Sequence, residues 1–365
     1  MKRPTVVALY LPQYHPIPEN DTWWGKGFTE WTNVTKARPL YPGHLQPNLP
    51  SELGFYDLRV PETRLEQAEL ARAYGVDAFC YYHYWFGNGR RLLERPFEEV
   101  LASGQPDLPF MLCWANQTWS GAWHGLTSQI LVEQLYPGRE DHEAHFQCVL
   151  RAFRDPRYLR VDGKPVFKIY CPTDLPDTRN TLGLWQDMAK AAGLPGIYFL
   201  ATKPDSTWNP QEWGYDAAVN VPHLQRRRDW VPWDQPVTKL KNKLLDWRRR
   251  PTVTDYAGYI ENIVVAEAPD WAIPCVLPNW DNTPRSGHRG LVLKGSTPER
   301  FGVQLRRALQ RARKRQAADN FLFVKSWNEW AEGNHLEPGR LVGRSYLERL
   351  RLELDADAKA NVAPR

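Results

Sequence analysis

The chain has 365 residues, 47 Lys and Arg against 42 Asp and Glu for a formal net charge of +5, and 13% aromatic residues that include 17 Trp and 16 Tyr. That length holds one large α/β domain or two ordinary ones. No run of about 18 apolar residues predicts a transmembrane helix, and tryptophan in such number exceeds what a core needs and points to a cleft lined with rings.

The start, Met1-Lys2-Arg3-Pro4 before Thr5–Leu11, faintly mimics a signal peptide but lacks a small-residue cleavage site, so it reads as a first strand. Apolar runs then recur at Val76–Trp85, Pro109–Asn116, Pro165–Pro172, Ile197–Lys203, Ala217–Pro222, Ile273–Trp280 and Phe321–Trp327. With Thr5–Pro12 they make eight strand candidates. Helical patterns lie between them at Pro61–Tyr74, Arg95–Ser103, Gly138–Arg154, Leu182–Ala192, Asp255–Glu267 and Pro298–Lys314, and Tyr346–Asp355 follows the last. Pro61 near a start and Gly75 after an end are helix punctuation. The segment Gln225–Thr254 is the least regular and reads as an insertion. Strands that are apolar throughout are covered on both faces. Eight of them alternating with helices predict a single (β/α)8 barrel with long βα loops over residues 1–350, followed by a helix end and polar tail at 351–365. A doubly wound sheet is the alternative, but the Gly-rich phosphate turn it would carry after an early strand is not seen.

The polar chemistry falls at strand ends, where a barrel keeps its loops and its function. Tyr14, His15, Trp23, Trp24, Glu30 and Trp31 follow the first candidate strand, and Tyr82, His83, Tyr84 and Trp85 end the second. Trp114, Asn116, Gln117 and Trp119 lie at the third, Tyr170 at the fourth and His223 beyond the sixth. Trp280, Asp281, Asn282 and Arg285 close the seventh. The eighth runs into Ser326-Trp327-Asn328-Glu329-Trp330-Ala331-Glu332-Gly333. Sugar faces stack on indole rings, and two glutamates near one bond can divide acid and base roles when their environments separate their pKa values. Each of these residues alone is better explained by core packing; their recurrence describes a carbohydrate cleft with Glu329 and Glu332 as the catalytic candidates.

Other chemistries fit less well. His15 and His83 lack metal-ligand spacing, so no metal and no cofactor is expected. Ser326 is outside a Gly-x-Ser-x-Gly elbow. The cysteines Cys80, Cys113, Cys148, Cys171 and Cys275 are odd in number and show no Cys-x-x-Cys spacing, which argues against a disulfide framework and for a reducing, cytoplasmic location. Basic residues cluster at Arg226–Arg228, Lys239–Arg250 and Arg306–Arg315. They are either solvated helix faces or a peripheral contact with a membrane surface or an anionic glycan; without a binding motif they do not indicate nucleic acid.

Several blocks together resemble the WbsX-type proteins, which carry a domain like glycoside hydrolase family 99. They are Leu11-Pro-Gln-Tyr-His-Pro16, Asn20-Asp-Thr-Trp-Trp-Gly-Lys-Gly-Phe-Thr-Glu-Trp31, Gly54-Phe-Tyr-Asp57, Phe79-Cys-Tyr-Tyr-His-Tyr-Trp85, Leu93-Glu-Arg-Pro96, Cys113-Trp-Ala-Asn116, Trp280-Asp-Asn-Thr-Pro-Arg285, Trp327-Asn-Glu-Trp-Ala-Glu-Gly333 and Leu336-Glu-Pro338. Such proteins often occur among polysaccharide and O-antigen biosynthesis genes and are commonly labelled glycosyltransferases, while family 99 enzymes are (β/α)8 endo-α-mannosidases. The resemblance implies a retaining mechanism, with Glu329 deprotonating a sugar 2-hydroxyl to give a 1,2-anhydro intermediate and Glu332 acting as acid/base. It implies an oligosaccharide or polysaccharide substrate, with hydrolysis, transfer and non-catalytic glycan binding as rival outcomes. One block departs. Similar proteins usually read Trp-Ala-Asn-Glu-Asn-Trp, then two arginines and Trp-Asp-Gly; here Gln117-Thr118-Trp119 follows Asn116 and the arginines are absent.

Overall fold

A computed structural model describes residues 3–121, 129–203, 208–222, 224, 248–263, 269, 271–315 and 318–360. His223, Arg226–Arg228 and residues 239–247 lie outside the described residues, so most of the insertion segment, one basic cluster and most of a second do too.

Eight parallel strands close into a barrel. They are β1 (Thr5–Tyr10), β2 (Ala78–Trp85), β3 (Phe110–Trp114), β4 (Lys164–Ile169), β5 (Tyr198–Thr202), β6 (Ala217–Asn220), β7 (Ala272–Val276) and β8 (Phe321–Val324). Each pairs with its neighbours in chain order. The ring closes where Thr5 of β1 stands opposite Phe321 of β8. Closure rules out the doubly wound sheet. The sequence runs extend past the observed strands because apolar residues continue into the loops: pairing stops at Tyr10, Trp114 and Val324 while the chain stays buried.

The helices Pro61–Ala73, Arg95–Ser103, Arg139–Arg154, Thr178–Ala191, Tyr256–Ile263, Pro298–Ala312 and Ser345–Ala360 fall on the predicted patterns. The last runs without a break through residue 350, burying Leu347, Leu350 and Leu354. Within the basic stretch before it, Arg306 pairs with Glu353 and Arg313 with Asp357 of this helix, while Arg315 pairs with Asp319. Those charges are spent within the protein. The described end of the insertion segment, Thr252–Asp255, pairs in parallel with Leu291–Lys294. The small core beside this pair (Tyr256, Tyr259, Ile260, Leu277) packs against Trp280. Among the described residues no helix is long and apolar enough to cross a membrane.

Candidate active site

The motif after β8 is shaped by its own backbone. Asn328 and Glu329 pair antiparallel with His335 and Asn334, and a single 3-10 turn, Trp330–Glu332, joins them. Gly333 ends that turn at φ +60, with a Cβ position only 2.9 Å from the backbone nitrogen of Asp281. A side chain there meets fixed backbone, so glycine is required. Asp281 in turn donates its N–H to the Glu332 carbonyl at 2.7 Å, which docks the loop after β7 onto the turn. The Asp281 carboxylate accepts from the Thr283 N–H and hydroxyl, opening the helical turn Thr283–Ser286, and from Gln46 at 2.7 Å, with His44 also at 2.7 Å. That turn carries Arg285.

The loop after β1 delivers the third component. Pro18–Trp24 is a two-turn helix stopped by Gly25 at φ +103, and Gly27 at φ +79 donates to Asp21 at 2.7 Å. Thr29 caps the next helix, Glu30–Lys36, which places Glu30 at its first turn.

These three loops meet at one guanidinium. Arg285 donates from Nε to Glu30 at 3.0 Å, from one terminal nitrogen to Glu332 at 2.6 Å and from the other to Glu329 at 3.1 Å. Burial works against the Arg285 charge, but Glu30, Glu332 and Glu329 outweigh it and hold the guanidinium firmly protonated. Glu329 is 6% exposed. Burial pushes its carboxyl up to about 8, the Glu332 charge adds to the rise, and Arg285 pulls the other way. Two carboxyl groups three residues apart therefore share a cation.

The cleft around them measures about 470 Å³ and opens at the C-terminal ends of the barrel strands. Of the sequence candidates, Trp24, Glu30, Tyr82, Tyr84, Gln117, Trp119, Tyr170, Trp280, Asn282, Arg285, Glu329 and Glu332 line it. Burial pushes the Tyr82 and Tyr84 hydroxyls well above their usual range, so they act as neutral groups. Trp119 meets Tyr84 edge-on at 5.1 Å, and Tyr170 meets Tyr82 the same way at 6.1 Å. Trp23 stands behind this wall, its ring 6.2 Å from Trp119.

The remaining candidates lie elsewhere, and strand alternation explains several. Side chains of successive strand residues face opposite sides, so with Tyr82 and Tyr84 inward, His83 and Trp85 face the helix Arg139–Arg154. His83 Nε2 lies 2.9 Å from His145 Nε2, and Trp85 stacks on the His145 ring at 4.7 Å and donates to Asp141. Trp114 packs on the same histidine and donates to the Trp85 carbonyl. His15 is buried with Nδ1 against the Pro12 carbonyl, and burial pushes its pKa down to about 4. Asn116 ties the third loop to the fourth, bonding both the N–H and the carbonyl of Cys171 at 2.8 Å. Trp31, Tyr14, Trp327, Asn328 and Trp330 build the wall behind the motif. Tyr14 donates to the Asn328 carbonyl and accepts from the Trp330 N–H, Trp31 donates to the Tyr56 carbonyl, and Trp327 packs on Phe79. Asn328 clasps both backbone groups of Leu11.

Sequence reasoning passed over part of the site. Gln13 lines the cleft and lay inside a block already singled out. Lys325 and Thr202 line it with no motif to mark them beyond their place at strand ends. Glu337, in Leu336-Glu-Pro338, is a buried anchor that accepts from Trp330 Nε1 at 2.6 Å, Gln67 at 2.6 Å and Tyr56 at 2.8 Å. Burial pushes it up to about 7 against those hydrogen bonds.

Among solved structures the fold is similar to a glycoside hydrolase family 99 endo-α-mannosidase from Bacteroides thetaiotaomicron in complex with bis-tris propane. The TM-score is 0.58 at 14% identity, covering 99% of each chain. A protein described as glycoside hydrolase-like gives a TM-score of 0.57 at 15% identity over 97% of this chain and 94% of that one. At such identities the likeness is one of fold. The "Uncharacterized protein WxcX" of Xanthomonas campestris pv. campestris (strain ATCC 33913) is 39% identical over 360 residues, as is its counterpart in strain B100. Those residues are 96% of this chain and 49% of either relative, so the chain spans about half the length of the curated relatives it matches. Residues 6–350 match the family described as Glycosyltransferase WbsX, and the chain belongs to that family.

Proposed function

We propose that this protein acts on a glycosidic bond of a polysaccharide or O-antigen-like glycan, with retention of configuration, through Glu329 and Glu332. The observation that carries this reading is the convergence of both carboxyl groups on Arg285 within an aromatic cleft. In the first step Glu329 takes the proton of the sugar 2-hydroxyl, O2 bonds to C1, and the C1–leaving oxygen bond breaks as Glu332 gives that oxygen its proton. In the second step water or an acceptor hydroxyl attacks C1 and passes its proton to Glu332. The C1–O2 bond breaks, and O2 recovers a proton from Glu329. Two inversions at C1 give net retention. Arg285 fixes both carboxyl groups in position before substrate arrives, which is the preorganisation such chemistry needs.

The family description favours transfer, in which a sugar hydroxyl replaces water in the second step. The catalytic groups are the same for either acceptor. The test is a screen of bacterial polysaccharides and glycolipid glycans, with and without nucleotide sugars, with product anomers read by NMR at early times. The reading expects a retained anomer whose formation requires Glu329; an inverted product, or turnover indifferent to Glu329→Gln, overturns it.

A further inference from the structure

Lys325 directly follows β8 and lines the cleft beside Glu329 and Trp280, yet it is only 7% exposed. Its Nζ stands 4.7 Å from the centroid of the Trp280 ring. Among the described residues it has no carboxylate at ion-pair distance and donates no hydrogen bond. Buried ammonium groups are ordinarily paired, because desolvating a lone charge is costly. One that faces a cleft with only a ring face and the more distant Glu329 carboxyl against it, and no hydrogen-bonded carboxylate, favours an anion on whatever fills that cleft.

A second observation points the same way. Thr202, at the end of β5, also lines the cleft, and its hydroxyl accepts from Lys168 Nζ. A hydroxyl that accepts from an ammonium keeps its own O–H to donate, and the charge behind it strengthens that donation. Lys168 is wholly buried, with Cys113 Sγ at 3.6 Å and the Tyr170 ring centroid at 5.3 Å as its other neighbours. Burial pushes the Cys275 thiol up to about 12, and Lys325 and Lys168 both pull against that rise, so both charges act on the same part of the barrel interior.

We infer that Lys325 Nζ and the Thr202 hydroxyl form a subsite for a carboxylate carried on a sugar ring, so that the preferred glycan contains a uronic acid. This rests on the proposal that the cleft binds a glycan. One ammonium and one hydroxyl match the two oxygens of a single negative charge. A phosphate dianion asks for more donors, and the carboxyl groups of Glu30, Glu329 and Glu332 in the same cleft repel a second charge. Trp280 and Tyr170 line the same cleft as the two lysines that sit over their rings.

The experiment measures binding directly, by calorimetry on the full chain, and so stands apart from turnover. The probes are glucuronate-containing oligosaccharides from hyaluronan and heparosan, each paired with its carboxyl-reduced product, in which the carboxylate has become a primary alcohol. The acidic member of at least one pair should bind roughly tenfold to a hundredfold tighter, as expected for a hydrogen-bonded charge. That ratio should fall as salt rises from about 0.02 to about 0.5 M, since screening shortens the reach of charge. In Lys325→Met, whose stem still covers Trp280, the ratio should collapse toward one. The salt dependence of the wild type needs no variant and keeps the test decisive if Lys325→Met folds poorly. Equal binding of both members, no binding of either, or a preference that survives Lys325→Met overturns the subsite. So does a variant that only shifts the pH dependence, which would reassign Lys325 to tuning Glu329. Cleavage of neutral glycans alone would sink the subsite and leave the proposed function standing; acidic binding without any turnover would do the reverse.

Discussion

Arg285 donates to Glu332 at 2.6 Å from a guanidinium whose other two nitrogens hold Glu329 and Glu30. The planar fork can serve three carboxylates from three loops at once, which the point charge of a lysine cannot. Arg285→Lys should therefore lower kcat/KM by about a hundredfold or more, about 2.7 kcal/mol. Arg285→Met leaves the buried carboxyl groups of Glu30 and Glu329 and the half-buried one of Glu332 without their cation and should destabilise the fold by roughly 3–5 kcal/mol, read from the midpoint of urea unfolding. Wild-type kinetics in Arg285→Lys would show that the three-way geometry is dispensable.

The raised Glu329 pKa sets a sign for pH dependence. If Glu329 is the base, its active form is the carboxylate, so kcat/KM should climb as pH rises through about 8. A rate that falls through that range would make Glu329 the acid and exchange the two roles. Stability runs the opposite way. A carboxyl whose folded pKa lies above its unfolded value stabilises the fold fully below the unfolded value, and that contribution is lost as pH rises through about 8. Glu329→Gln should thus gain Tm relative to wild type at alkaline pH more than in mild acid, as thermal melts across pH will show.

Asn328 accepts from the Leu11 N–H at 2.7 Å and donates to the Leu11 carbonyl at 3.0 Å, stitching the end of β1 to the catalytic motif. Both backbone groups are buried, and a buried donor left unsatisfied costs about 1–3 kcal/mol. Asn328→Ala should lower stability by that order, and activity should fall further than stability because the clasp positions Glu329. Equilibrium unfolding and kinetics on the same preparation separate the two effects.

Gln117 lines the cleft close to the Cys171 thiol. It stands where similar proteins usually carry Glu. Gln117→Glu adds an anion to a wall that now has a neutral amide able both to donate and to accept. Activity on the native glycan should drop by an order of magnitude or more, about 1.4 kcal/mol of transition-state stabilisation. Kinetics indistinguishable from wild type would leave Gln117 as a support for Cys171 alone.

The barrel was legible because its strands are apolar throughout and its helices carry their own punctuation, as Pro61 and Gly75 do. The face each strand residue presents was harder to read. In Tyr82-His83-Tyr84-Trp85 every side chain is aromatic, so composition does not mark which face is the cleft; only the packing of His83 and Trp85 on His145 decides it. Trp31 and Trp330 were singled out as sugar platforms, but their indole N–H groups are committed to Tyr56 and Glu337 in the wall behind. Arg285, Glu30, Glu332 and Glu329 were each legible as candidates, whereas no local pattern announces that they meet, across separations of 255, 47 and 44 residues. Lys325 gave no signal because a lysine after a strand is unremarked until its burial is known.

The most direct test of the account replaces each glutamate in turn and measures turnover and glycan binding on the same natural glycan. Glu329→Gln keeps the shape and loses the base, so turnover should disappear while calorimetric binding persists. Glu332→Gln should recover part of its rate on substrates whose leaving groups need no protonation. Near wild-type turnover of the natural glycan by either variant would contradict the assignment of the reaction to this pair.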